Sequence, residues 1–165
     1  MIALKNILVA TDFGEASDAA LTYARALARA FGSTLHVVHV TTQVYLNAFG
    51  AEAYGAMAPE MQNDIDAAAR KMLHERLVDS DGSNPPTTST ILTSSSPAVT
   101  IVRYAAEHDI DLIVAGTHGR GALAHAIMGS VAERIVRLAP CPVLTVRHPE
   151  HEFVLPDLLA ATARA

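Results

Sequence analysis

Short apolar runs alternate with stretches of helical period along most of this chain, the pattern of strands and helices in turn. Asn6-Ile7-Leu8-Val9-Ala10 reads as the first strand, apolar from Ile7 to Ala10 as a strand buried on both faces requires, and it ends at Thr11-Asp12. A helix is predicted from about Ser17, with Leu21, Ala24, Leu27, Ala28 and Phe31 on one face and Gly32 in the position of a C-terminal cap. Thr34 to Val40 reads as the second strand. Thr41 to Pro59 has no clear period and little charge, and is predicted to be an irregular insertion. Helical spacing returns from Glu60 to Asp79, where Met61, Ile65, Ala68, Met72, Arg76 and Leu77 share a face. The turn-rich Asp79 to Pro86 leads to a polar third strand, Thr87 to Thr93, whose apolar content is Ile91 and Leu92.

Ser96-Pro97 opens the next helix, with serine as N-cap and proline at the first helical position. Ile110 to Ala115 is the clearest strand and runs directly into Gly116. A last helix is predicted over Ser130 to Leu138, stopped by Pro140-Cys141-Pro142. The fifth strand is Val143 to Arg147, and Pro142 at its start suits an edge position. Right-handed crossovers wind such an order into an open, doubly wound parallel sheet with helices on both faces. We expect an α/β fold of strand order 3-2-1-4-5, with residues 1–148 as one domain and 149–165 as a C-terminal extension. Asp157 to Arg164 in that extension has a helical pattern. Ligands of open α/β sheets sit beyond the carboxyl ends of the strands, where the winding reverses. In this order the reversal falls between the first and fourth strands, so Asp12 and Gly116 share it.

Composition narrows the chemistry. The chain has 165 residues, half of them hydrophobic and 18% charged, which suits one folded domain and argues against disorder. A formal charge of -5 argues against sequence-independent nucleic-acid binding, which needs a basic face. Cys141 is the only cysteine, so an internal disulfide is excluded. The first apolar run is too short for a signal sequence or a membrane span. A cytoplasmic protein without membrane insertion is therefore expected.

The candidate chemistry lies in Gly116-Thr117-His118-Gly119-Arg120 and, after a short interval, Gly129-Ser130-Val131. Phosphate binding needs backbone N–H groups aimed at one point with no side chain in the way. Gly116 and Gly119 suit the turn after the strand, and Gly129-Ser130 opens a helix whose first N–H groups favour an anion. Arg120 supplies a cation, and His118 is within the same loop. Ser130 has two readings: a hydrogen bond to the ligand, or a helix cap within Ser130-Val131-Ala132-Glu133. No Gly-Lys-Ser/Thr occurs, since the only lysines are Lys5 and Lys71. The glycines also follow the fourth strand, not the first as in the dinucleotide fingerprint.

The spacing of Gly116, Gly119 and Gly129-Ser130, with Asp111 to Arg120, Cys141-Pro142-Val143-Leu144 and the opening Ile7 to Asp12, resembles the universal stress protein family over roughly Leu4 to Arg147. The resemblance implies the adenine nucleotide alpha hydrolase-like fold and the ATP-binding branch of the family, with or without Mg2+. It implies adenine near Thr11, Asp12 and the backbone of Val40, and ribose and phosphates along Gly116 to Gly119 and Gly129 to Val131. It further implies a cytoplasmic homodimer pairing its fifth strands, Val143 to Arg147, and a regulatory protein partner in the stress response. Ser94-Ser95-Ser96-Pro97 departs from the family, which often has glycine there.

Three functions compete on these residues: a nucleotide-dependent regulator, a slow ATPase or phosphoryl- or nucleotidyl-transferase, and a dimeric interaction module without nucleotide. The first is expected, because no general base or second substrate pocket is evident beside the cradle. Asp12 is read as a ligand contact or a metal-ion partner, the alternative being a plain turn residue. The odd spacing of His36 and His39 puts them on opposite sheet faces. His118 and His125 lack a metal-ligand spacing, and no metal centre is expected. Cys141 is read as a structural thiol. Tyr45 to Met57 concentrates aromatics and is read as a lid, a partner surface or a locally packed loop.

Overall fold

A computed structural model describes residues 2–43, 51–78, 85–117 and 129–148, with 51–58 described as backbone only. Its elements are β1 (Asn6–Thr11), α1 (Glu15–Phe31), β2 (Thr34–Thr41), α2 (Ala51–Leu77), β3 (Thr87–Thr93), α3 (Pro97–Glu107), β4 (Leu112–Gly116), α4 (Ser130–Leu138) and β5 (Val143–Val146). All five strands are parallel in the order β3-β2-β1-β4-β5, the order expected from the sequence. Ile7 pairs with Leu35 on one side and Leu112 on the other, and Ala10 with Val38 and Ala115.

Alternation along β1 and β2 divides the core into two layers. Ile7, Val9, Leu35 and Val37 face α1 and α2, where they meet Ala20, Leu21, Ala24, Ala69 and Leu73. Leu8 and Val38 face α3 and α4 and meet Ile101, Tyr104 and Ile135. Each fully buried branched side chain here contributes on the order of 1.5–3 kcal/mol, so strand register is fixed from both sides. At the lower edge of the sheet the Asp111 carboxylate accepts the N–H groups of Lys5 at 2.6 Å and Asn6 at 2.9 Å. That bond joins the entries of β1 and β4.

Several local expectations are corrected. α1 begins at Glu15, ahead of Ser17, because Glu15 and Asp18 complement the positive end of the helix. Its buried stripe ends at Ala28, leaving Phe31 46% exposed. Gly32 does close α1, at φ 67°. α2 starts at Ala51 and runs for 27 residues with Pro59 inside it, so the latter part of the supposed irregular insertion is helical. Over residues 59–77 its buried positions are Ala69 and Leu73, whereas Met61, Ile65 and Ala68 are exposed. The inward face is turned by Gln62 and Asp66: Thr41 Oγ1 donates to Asp66 Oδ1 at 2.8 Å, and Gln62 Nε2 donates to the same carboxylate at 3.0 Å. β4 begins at Leu112, since the Ile110 N–H is taken by the Ala105 carbonyl at the end of α3. Ser96 occupies the N-cap of α3 without a capping side-chain bond. β5 stops at Val146.

Candidate functional site

The chain leaves β1 through a tight hydrogen-bonded turn. The Phe13 N–H donates to Thr11 Oγ1 at 3.0 Å, and Ser17 Oγ lies 3.1 Å from Thr11 Oγ1 and 2.9 Å from the Gly14 carbonyl. A carbonyl only accepts, so Ser17 donates to Gly14 and receives the Thr11 hydroxyl. The Gly14 N–H in turn donates to Asp12 Oδ1 at 3.0 Å. Thr11 is buried and its hydroxyl is engaged in the turn, while Asp12 is half-buried at the strand end. Ser17 takes part in this turn and was not anticipated from the sequence, where it read only as the start of a helix.

Phe13 stands in the left-handed region at φ 63°, at a cost of about 1–2 kcal/mol for a residue with a side chain. Its ring is buried against His39, with centroids 4.2 Å apart. His39 Nδ1 lies 2.7 Å from the Thr11 carbonyl oxygen and therefore carries a proton. Arg76, from the last turn of α2, donates to the Phe13 carbonyl at 3.1 Å. His39 and Arg76 were also not anticipated; only their separation from Phe13 along the chain hides the cluster.

Gly116 ends β4 directly beside this turn. A Cβ there would stand 2.7 Å from the carbonyl carbon and oxygen of Ala16 and 2.9 Å from the Ser17 nitrogen. The glycine thus admits the first turn of α1 against β4. Thr117 follows, buried, and its N–H donates to the Val146 carbonyl at 2.8 Å. The Gly129 N–H donates to the Thr117 carbonyl, which draws the exit of β4 and the start of α4 together. Gly129 is the N-cap of α4 and makes no side-chain cap bond. Ser130 is the first helical residue, so the capping-box reading of Ser130 is not what forms here. Ser130 and Val131 are exposed. The first intrahelical bond is Glu133 N–H to the Gly129 carbonyl; the N–H groups of Ser130, Val131 and Ala132 precede it and point out of the helix end.

Val40 is half-buried on the α3/α4 side, one residue beyond the His39–Thr11 pairing. The strand ends therefore bring together Thr11, Asp12, Val40, Gly116, Thr117 and, through the Gly129 bond, the start of α4. His118, Gly119 and Arg120 lie outside the described residues, as do Tyr45 to Gly50 and the C-terminal extension. Cys141 is half-buried, and burial, with the Asp111 carboxylate adding to it, pushes its thiol above the ordinary range. A neutral thiol fits a packing role. Among the described residues no three His, Cys, Asp or Glu side chains converge as metal ligands. No described helix is long and apolar enough to cross a membrane.

Residues 3–147 match the model of the universal stress protein family. A universal stress protein of Methanocaldococcus jannaschii is 30% identical over 90% of this chain and 85% of its own length. Among solved structures, the universal stress protein UspA of Lactobacillus plantarum superposes with a TM-score of 0.78 at 29% identity, over 89% of this chain and all of the other. The universal stress protein of Archaeoglobus fulgidus in complex with dAMP shares the fold at a TM-score of 0.54 and 21% identity, over 88% of this chain and 99% of its own.

Proposed function

The chain belongs to the universal stress protein family, and from that premise we propose that it binds an adenine nucleotide, ATP in the cell, as a regulator in the stress response. The observation that carries this reading is the bond from the Gly129 N–H to the Thr117 carbonyl. It sets the N–H groups that open α4 beside the end of β4, at the reversal point shared with Asp12. Backbone donors at a helix start suit phosphate oxygens, and Gly129 leaves that helix end without a side chain over it. Ser130 and Val131 would hold the phosphates, with Gly116 and Thr117 forming the neighbouring wall. Asp12 and the Val40 backbone would meet ribose and adenine. Asp12 is also the residue to meet Mg2+, which would neutralise phosphate charge. His118, Gly119 and Arg120 complete the proposed loop. A family member of the same fold holding dAMP supports an adenine ligand.

Binding, not turnover, is the proposed activity: occupancy alters which regulatory partner the protein engages, in the cytoplasm and as a dimer. Mass spectrometry of the gently purified protein is expected to find ATP or ADP. Calorimetry on the full chain should give one adenine-nucleotide site, abolished by Gly129→Val with Ser130→Ala while the circular dichroism spectrum stays unchanged. No ATP affinity with or without magnesium would overturn the reading. Steady multi-turnover ADP release that disappears in Asp12→Ala would replace it with a slow ATPase.

A further inference from the structure

The Asp12 turn is also held by a side chain from α2. The Arg76 guanidinium donates to Asp18 through Nε at 2.7 Å and Nη2 at 3.3 Å, and through Nη2 to the Phe13 carbonyl at 3.1 Å. It also lies 5.0 Å from the centroid of the Phe13 ring. The Arg76 carbonyl accepts the Arg25 guanidinium, so the arginine is itself fixed between α2 and α1. One group thus serves a carboxylate, a carbonyl and an aromatic face, which a lysine ammonium cannot match in geometry. A left-handed residue with a bulky side chain persists only where its surroundings over-determine it. At Phe13 those surroundings include the Arg76 guanidinium, the His39 ring and the Thr11 hydroxyl.

We propose that Arg76 is a positioning residue for the nucleotide pocket: through Phe13 it fixes the turn that aims the Asp12 carboxylate. The proposal rests on the adenine-nucleotide reading above and adds a regulatory consequence. Arg76 stands in the last turn of α2, one residue before its end at Leu77, so displacement of that turn loosens the Asp12 turn. By reciprocity, nucleotide held at Asp12 resists that displacement.

Two readouts on the full chain test this. Arg76→Met keeps an apolar stem over Phe13 and removes the guanidinium bonds; Arg76→Lys keeps only the charge. Without nucleotide, amide hydrogen exchange at Phe13 and Gly14 is expected to accelerate about tenfold or more in Arg76→Met and less in Arg76→Lys, with the Ile7 to Val9 amides unchanged. With ATP, the Kd is expected to rise about tenfold in Arg76→Met at unchanged stoichiometry, the loss of a preorganised contact. Leu73→Ala, a core change on the same helix, should lower the melting temperature and leave the Kd alone. Asp18→Asn, nearly isosteric, should move both readouts in the same direction as Arg76→Met and serves if that variant does not fold. Unchanged exchange at Gly14, or faster exchange with wild-type ATP affinity, overturns the positioning role. If the unsubstituted chain binds no ATP, the nucleotide reading fails with it, and faster exchange then marks Arg76 as a fold clamp only.

Discussion

The backbone atoms of Ala16 and Ser17 that press on Gly116 cannot swing aside as a side chain would. Gly116→Ala is therefore expected to destabilise the fold by about 1–3 kcal/mol, the usual cost of overpacking, read as a shift of the urea midpoint at unchanged slope. This glycine was legible as one with a purpose, because it follows a strand at the switch point. In the sequence it was read as the turn glycine of a phosphate loop; the structure shows the first turn of α1 packed against it, and that neighbour lies far away along the chain. Phe13 was harder to see. A left-handed phenylalanine has no local signature, since its conformation is imposed by His39 and Arg76, which come from other elements. Ser130 shows the opposite error: a good capping pattern placed one residue past the actual cap, Gly129.

Helices attach to this sheet through a few polar links as well as through apolar stripes, and those links explain where periodicity misled. In α2 the buried stripe was displaced because Asp66 is drawn inward. Burial works to raise its pKa, but hydrogen bonds from Thr41 and Gln62, the charge of Arg70 and the Thr93 hydroxyl outweigh that and hold it below the usual range. A residue-by-residue hydropathy pattern marks such an aspartate as outward. The early start of α2 had a readable signal in Ala51, Ala53, Ala56 and Ala58, all strong helix formers, set against Gly55 and Pro59. On the other sheet face, α3 is tied to β2 and β3 by Tyr104, whose hydroxyl lies 3.1 Å from His36 Nδ1 and 3.4 Å from Thr90 Oγ1. His108 stacks on the Tyr104 ring at 3.8 Å. Burial, and secondarily the His108 charge, lowers the His36 pKa below its ordinary 6.5. The unfolded chain then binds more protons than the folded one between the lowered value and 6.5, so stability rises with pH there. The His36 contribution is complete above 6.5 and is lost as pH falls through the folded value. A urea-midpoint series from neutral to mildly acid pH is expected to decline, and to decline less in His36→Phe.

Across the whole molecule, strand order was the best-read property, because strands alternating with helices and joined by right-handed crossovers leave few arrangements. That order leaves β3 and β5 at the edges. On β5 the Ile113 N–H reaches the Pro142 carbonyl and the Thr117 N–H reaches that of Val146. Even-numbered residues therefore face β4, and the N–H and C=O groups of Val143 and Thr145 face outward. If the proposed dimer pairs β5 with its copy, Thr145→Pro removes an outward donor without touching the ladder to β4. The expected result is a monomer by analytical ultracentrifugation with the melting profile of a folded chain; an unchanged dimer would place the interface elsewhere. The bond between Thr117 and Gly129 has an architectural consequence of another kind. It ties the exit of β4 to the start of α4, so an insertion placed after the His118-Gly119-Arg120 of the proposed site and before Gly129 lengthens an excursion whose two ends are already joined. Each doubling of such an excursion costs only about 0.6 kcal/mol. A guest domain whose own termini lie close together can be spliced there as a reporter, its two linkers emerging side by side from a junction the host already ties shut.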